Sequence, residues 1–76
     1  MKLQGIGVGM KVVITKLGST AGMFINKEHL DVREVGVTGT ITGYVPGHGG
    51  DVWWVKHDET NTVGAYVFNE FEGVKE

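Results

Sequence analysis

Seventy-six residues with a formal charge of −2 and no cysteine make one domain, close to the lower size at which a core sustains itself, with no disulfide framework and no thiolate metal site. Seven basic against nine acidic side chains exclude the broad basic surface that normally drives binding to phosphate backbones. No apolar run approaches the roughly 20 residues of a membrane span, so no membrane partner is expected and the chain reads as a cytoplasmic protein.

Residues 1–8 read as a flexible lead-in. The stretch has too few consecutive apolar positions for a signal peptide. Its glycines at 5, 7 and 9 do not make a dinucleotide loop, because that loop opens a helix and here a β-branched run follows. Met10 to Lys16 is that run, the first strand, with Met10, Val12 and Ile14 on one face. Gly18 to Gly22 breaks it. Met23 to Glu34 carries no apolar stripe that lasts three helical turns, so it reads as an irregular excursion with one short turn near Lys27 to Leu30. Asn26 is placed to cap that turn.

Val35 to Val45 alternates cleanly. Val37, Gly39, Ile41, Gly43 and Val45 share a core-facing side, and Thr38, Thr40, Thr42 and Tyr44 share a solvated one. The glycines at 39 and 43 allow the strand to bend. Pro46 ends it, and Gly47 to Gly50 supply positive-φ positions for a tight connection. Asp51 to Asp58 then sets two neighbouring tryptophans on opposite faces. Charges at the strand's end assign Trp53 and Val55 to the core and Trp54 to the outside. After the polar turn Glu59 to Thr62, Val63 to Asn69 returns as the last long strand. A hairpin whose paired numbers sum to 120 sets Trp54 against Tyr66 and Val52 against Phe68, roughly 5 Å apart on the outer face. Phe71 folds back as a plug, in or beside a short 3₁₀ turn, with Val74 near the seam. The expected core is Val12, Ile14, Val37, Ile41, Trp53, Val55, Val67 and Phe71.

His48, Asp51, His57, Asp58 and Glu59 are the one cluster of candidate ligands or acid–base groups. His57 and Asp58 point apart on a strand, and nothing in the glycine turn fixes His48, so three convergent donors are not assembled. Ser19, the only serine, has no activating neighbour. The reading is therefore non-enzymatic, with no metal and no cofactor. The outward aromatics are the stronger lead: either the strand parity is inverted and they are core, or a patch of that size on so small a chain implies an interface. The candidate docking residues are Trp54, Tyr66, Phe68, Val52, Tyr44, His48 and Lys56, with the adjoining Gly47 to Gly50 and Met23 to Leu30 loops. The expected partner is a protein or a second copy of the chain. Nucleotide or nucleic-acid stacking on the same face is the alternative, for which Lys56 and Lys11 are the only basic neighbours.

Four segments in order, VGMKVVI, VGVTGTITGY, DVWWVKHDE and AYVFNEFE, carry a family likeness over residues 8–72. The chain resembles the small SH3-like barrels of the KOW type and the short bacterial and phage proteins of unassigned function built on them. The resemblance implies an all-β barrel of about five strands with a long excursion after the first, and a binding module that modulates a larger complex. Val63-Gly64-Ala65-Tyr66 also looks like the V-Q-I-Y signature of the plasmid-type dihydrofolate reductases, which are similar barrels. Glycine and alanine replace the central glutamine and isoleucine, so the folate and cofactor contacts of that family are not implied here.

Overall fold

A computed structural model describes residues 6–74. It is all-β: five antiparallel strands in one sheet, with a single helical turn. The elements are β1 (Lys11–Ile14), α1 (Glu28–Asp31), β2 (Thr38–Tyr44), β3 (Val52–His57), β4 (Val63–Val67), a 3₁₀ turn (Phe68–Glu70) and β5 (Phe71–Gly73). The sheet order is β4-β3-β2-β1-β5. Of the expected lead-in, residues 1–5 lie outside the described residues. Ile6 packs against the core, and the Gly9 amide donates to the Ile41 carbonyl at 2.7 Å.

Val12, Ile14, Ile41, Val55, Tyr66 and Phe71 form one buried cluster. These six come from all five strands, including the two edge strands β4 and β5. The sheet must therefore curl until its ends share an interior. Met10, Val37 and Trp53 pack against this cluster from partly buried positions, as the alternation in β1, β2 and β3 requires. Each fully buried large apolar side chain contributes about 1.5–3 kcal/mol relative to exposure.

A second buried cluster lies elsewhere on the sheet: Val45, Val52 and Ala65, flanked by Met23, Ile25, Leu30, Trp54 and Val67. Two register features create it. A bulge between Ile41 and Gly43 inverts the end of β2, so Val45 joins the second cluster and Tyr44 lies opposite Trp53. The β3–β4 hairpin pairs Val52 with Val67, Trp53 with Tyr66 and Trp54 with Ala65, sums of 119 rather than 120. A slip of one residue moves a whole strand's side chains to the other face. Val67, expected in the main core, accordingly packs in the second cluster.

The excursion, residues 16–36, is a strap over that second cluster. Its one helical turn, α1, has Lys27 rather than Asn26 at the N-cap position and no side-chain cap. With so little regular structure, the strap depends on its ends. Glu70, in the 3₁₀ turn, fixes both. Its carboxylate accepts from the Arg33 guanidinium at the strap's end, from the Gly18 amide at its start and from the Val67 amide at 2.9 Å. The Glu70 carbonyl accepts the Thr15 amide at 2.8 Å. The side chains of Arg33 and Glu70 are 3% and 2% exposed, and the guanidinium carbon lies 5.4 Å from the Tyr66 ring centroid.

Two stability predictions follow from this packing. A Cβ on Gly39 would lie 2.6 Å from both the Lys56 carbonyl oxygen and Val55 Cγ1, whereas one on Gly43 would meet only Trp54 Cδ1 at 3.8 Å. Gly39→Ala should therefore lose about 1–3 kcal/mol in urea unfolding, with Gly43→Ala close to wild type. Arg33→Met should cost about 3–5 kcal/mol, because it strands a buried carboxylate. Adding Glu70→Gln should recover part of that loss, giving a favourable coupling in a double-mutant cycle.

Candidate functional site

The face proposed from sequence for docking is largely covered by the chain itself. Trp54 does leave the main core, but Met23, Ile25 and Leu30 of the strap share its cluster, and the His29 ring meets it edge-on at 4.9 Å. His29 Nδ1 donates to the Val63 carbonyl at 2.8 Å, which seals an edge position of β4. Val52 is buried beneath the same cover. Tyr66 is not on this face at all: the slipped register places it in the main core, fully buried. Phe68 is half-buried in the 3₁₀ turn, and Lys56 is exposed. An open Trp54/Tyr66/Phe68/Val52 surface therefore does not exist in this fold.

Exposed aromatic surface gathers instead around the β2–β3 turn. Tyr44, the last residue of β2, is 57% exposed, and its ring leans edge-on against Trp53 at 6.1 Å. The bulge in β2 is what brings these two rings together. Inside the turn, Gly47, Gly49 and Gly50 all take positive φ, which lets the chain reverse tightly around His48. The His48 ring is held from both sides. Nδ1 donates to the Pro46 carbonyl at 3.0 Å, and Nε2 accepts the Phe24 amide at 3.2 Å. Phe24 itself is 87% exposed, its ring 6.2 Å from the imidazole. Two candidates from sequence, Tyr44 and His48, thus belong to this end of the sheet, joined by Trp53 and Phe24.

A cleft of about 470 Å³ opens between the strap's return leg with the start of β2, residues 31–38, and the β3–β4 turn. One of its lining residues is the buried His57. The Tyr66 hydroxyl accepts the Glu34 amide at 3.2 Å, so its own proton goes to His57 Nε2, 2.7 Å away. His57 Nδ1 then carries the ring proton toward Thr62 Oγ1 at 2.9 Å, and Thr62 shares a 2.7 Å bond with Thr60. Every member of this chain has a partner. Burial raises the Tyr66 phenol above its ordinary value, so it remains a neutral donor. Beside the cleft, Lys11 pairs with Asp58 at 2.9 Å and Thr38 donates to the same carboxylate. The lysine bond is the main reason that the Asp58 carboxyl sits below its usual range.

His57, Asp58 and Glu59 do not converge. Among the described residues no three His, Asp or Glu side chains form a metal-holding group. Asp58 faces Lys11 while His57 turns inward to Tyr66, the strand-parity separation expected from sequence. The Met23 to Leu30 loop, expected from sequence to adjoin the docking face, supplies Phe24, which the sequence did not single out: its neighbours Met23 and Ile25 both turn inward and leave it outside. Sequence reasoning missed the Tyr66–His57 bond, which depends on the hairpin register.

The Tyr66 network gives a pH prediction. A group whose proton is held more tightly in the folded state contributes stability below its unfolded value and loses it as pH rises past that value. Wild-type stability should therefore fall above about pH 10, the ordinary phenol range. Tyr66→Phe should lack that component of the alkaline loss, while costing about 1–3 kcal/mol near neutrality by leaving the Glu34 amide without an acceptor. Denaturant midpoints measured across alkaline pH for both proteins check this.

Compared with family models, with curated proteins and with solved structures, the chain finds no match.

Proposed function

We propose that this chain is a non-enzymatic binding module that docks a protein partner through the aromatic end of the sheet around the β2–β3 turn. Phe24 and Tyr44 would be the contact residues, with Trp53 and His48 holding them in place. The observation that carries this reading is the exposure of two aromatic rings fixed against ordered neighbours, 87% for Phe24 and 57% for Tyr44. Single exposed apolar residues are ordinary. These two flank one turn and are braced by ring contacts to His48 and Trp53. Rigid aromatic anchors lose little side-chain entropy on binding and are enriched among the residues that dominate interface energy. The resemblance to small SH3-like barrels agrees with a binding role, and a second copy of the chain is one form the partner could take.

The strap revises the route by which Trp54 would contribute. Trp54 is half-buried under the strap with Met23, Ile25 and Leu30, and Lys56, two residues on in β3, is exposed. Stacking of nucleic acid on the same rings would need basic neighbours. Lys11 is committed to Asp58, which favours the protein partner.

A photo-crosslinking amino acid placed at 24 or 44, with Glu72 as the control position, tests the reading in lysate of the source cells. The expected result is one protein adduct at 24 and 44, absent at 72 and retained at about 0.5 M salt. With the partner purified, Phe24→Ala or Tyr44→Ala should weaken binding about 30-fold, the loss typical of a dominant interface aromatic. An adduct that nuclease removes and that fades steeply with salt would mean nucleic acid instead. Equal crosslinking at 72 would remove the proposed surface.

A further inference from the structure

The strap is fastened unevenly. Its two ends are bound to the rest of the fold by Glu70 through Gly18 and Arg33, and the Gly36 amide donates to the Ile14 carbonyl at 2.8 Å. Between Gly18 and His29, among the described residues, just one hydrogen bond crosses from strap to sheet: the Phe24 amide to His48 Nε2 at 3.2 Å. The other bonds of this segment stay inside it, from Ala21 to Ser19, Met23 to Thr20 and His29 to Asn26. Gly22, at φ +90°, lies two residues before the crossing point. Met23 and Ile25, on either side of Phe24, supply the apolar contacts that cover Val45, Val52 and Ala65.

The chemistry of the single crossing bond is specific to one protonation state. The Pro46 carbonyl has no proton to give, so His48 Nδ1 must carry one. The Phe24 amide likewise can only donate, so Nε2 must offer a lone pair. A doubly protonated imidazole has two N–H donors and no acceptor. It would face the Phe24 N–H donor to donor. We propose that residues 19–27 are a pH-sensitive cover over the Trp54 face, latched by neutral His48 and released when that ring gains a second proton.

The groups on the His48 ring are the Phe24 amide and ring from the strap and the Pro46 carbonyl from its own turn. The charged side chains nearest along those two segments are Lys27, which pairs with Asp31, and Asp51; neither bonds the ring. The other two histidines are placed differently. His29 donates from Nδ1 to a carbonyl, a bond that survives protonation. His57 accepts from Tyr66 inside the main core and makes no bond to residues 19–27. Release would uncover the part of the second cluster that Met23 and Ile25 now occupy, with His29 and Leu30 remaining in place, and would let Phe24 leave the β2–β3 turn. The inference stands apart from the partner-docking reading, because the opening is measured on the isolated chain.

The test is amide exchange by NMR on the full 76-residue chain at about pH 7.5 and about pH 5.5, the range over which histidine changes charge, expressed as protection factors. The Phe24 amide should lose protection about three- to tenfold at the lower pH, the ratio expected for one net hydrogen bond. The Ile41 amide, bonded to the Met10 carbonyl in the sheet, should not follow. His48→Gln, whose amide oxygen can still accept, should keep Phe24 protected at both values. His48→Ala should leave it unprotected at both. The proposal fails if His48→Ala protects Phe24 as well as wild type does at the higher pH. It fails equally if His48→Gln retains the acid response, or if Ile41 loses protection in step with Phe24.

Discussion

The buried contact between Arg33 and Glu70 is the constraint on which the remaining structure depends. Removing two charges from water costs several kcal/mol per ion unless geometry and extra hydrogen bonds compensate. Glu70 meets that demand by gathering the guanidinium and two backbone amides on its carboxylate. Arg33 adds the face of Tyr66. The cost therefore turns into position. Arg33 is reachable only if the strap returns over the β4 end of the sheet, and Gly18 only if it departs beside β1. Two ends of a segment with a single helical turn are fixed by one residue of a three-residue 3₁₀ turn.

That fixation explains why so short a chain has two apolar clusters. A sheet with one covered face shows a clean alternation, and a sheet covered on both reads as a continuous apolar run. VWWV in β3 and VGAYV in β4 are of the second kind. With the strap in place, Val52, Trp54 and Ala65 are served on one side and Trp53, Val55 and Tyr66 on the other. The aromatic surplus of the hairpin is thus a sign of a covering segment within the chain, where a one-faced sheet would have implied an outside partner.

The existence of the strands was legible because its signals are local: alternation in β2 and short β-branched or aromatic runs bounded by turn residues in β1, β3 and β4. Their relative register is not local, and that is where the sequence reading slips. Asn61 adopts φ 63°, its amide bonds the His57 carbonyl at 3.0 Å, and the His57 amide bonds Thr62 at 2.8 Å. This closes the turn between His57 and Thr62 and moves Tyr66 from the outer face to the core. Asparagine tolerates that left-handed conformation better than most residues, so the signal was present in ETNT, one position from where the polar run alone would put it. The bulge in β2 had a sign too, in Gly43. Arg33 and Glu70, thirty-seven positions apart, carried no pattern beyond Arg33 being the sole arginine in the chain.

The three histidines show why a residue type alone could not assign a site. His29 gives its proton to a carbonyl and works in either charge state. His57 receives one from a buried tyrosine and belongs to the core. His48 receives one from a backbone amide at the surface, and so it alone joins a bond that titration can break to a segment held locally by little else. The difference lies in the partner: carbonyl, phenol or amide. In this fold the glycine turn supplies an imidazole acceptor at the one place where the strap's middle has an amide to donate, and the ends held by Glu70 make that middle the part free to move.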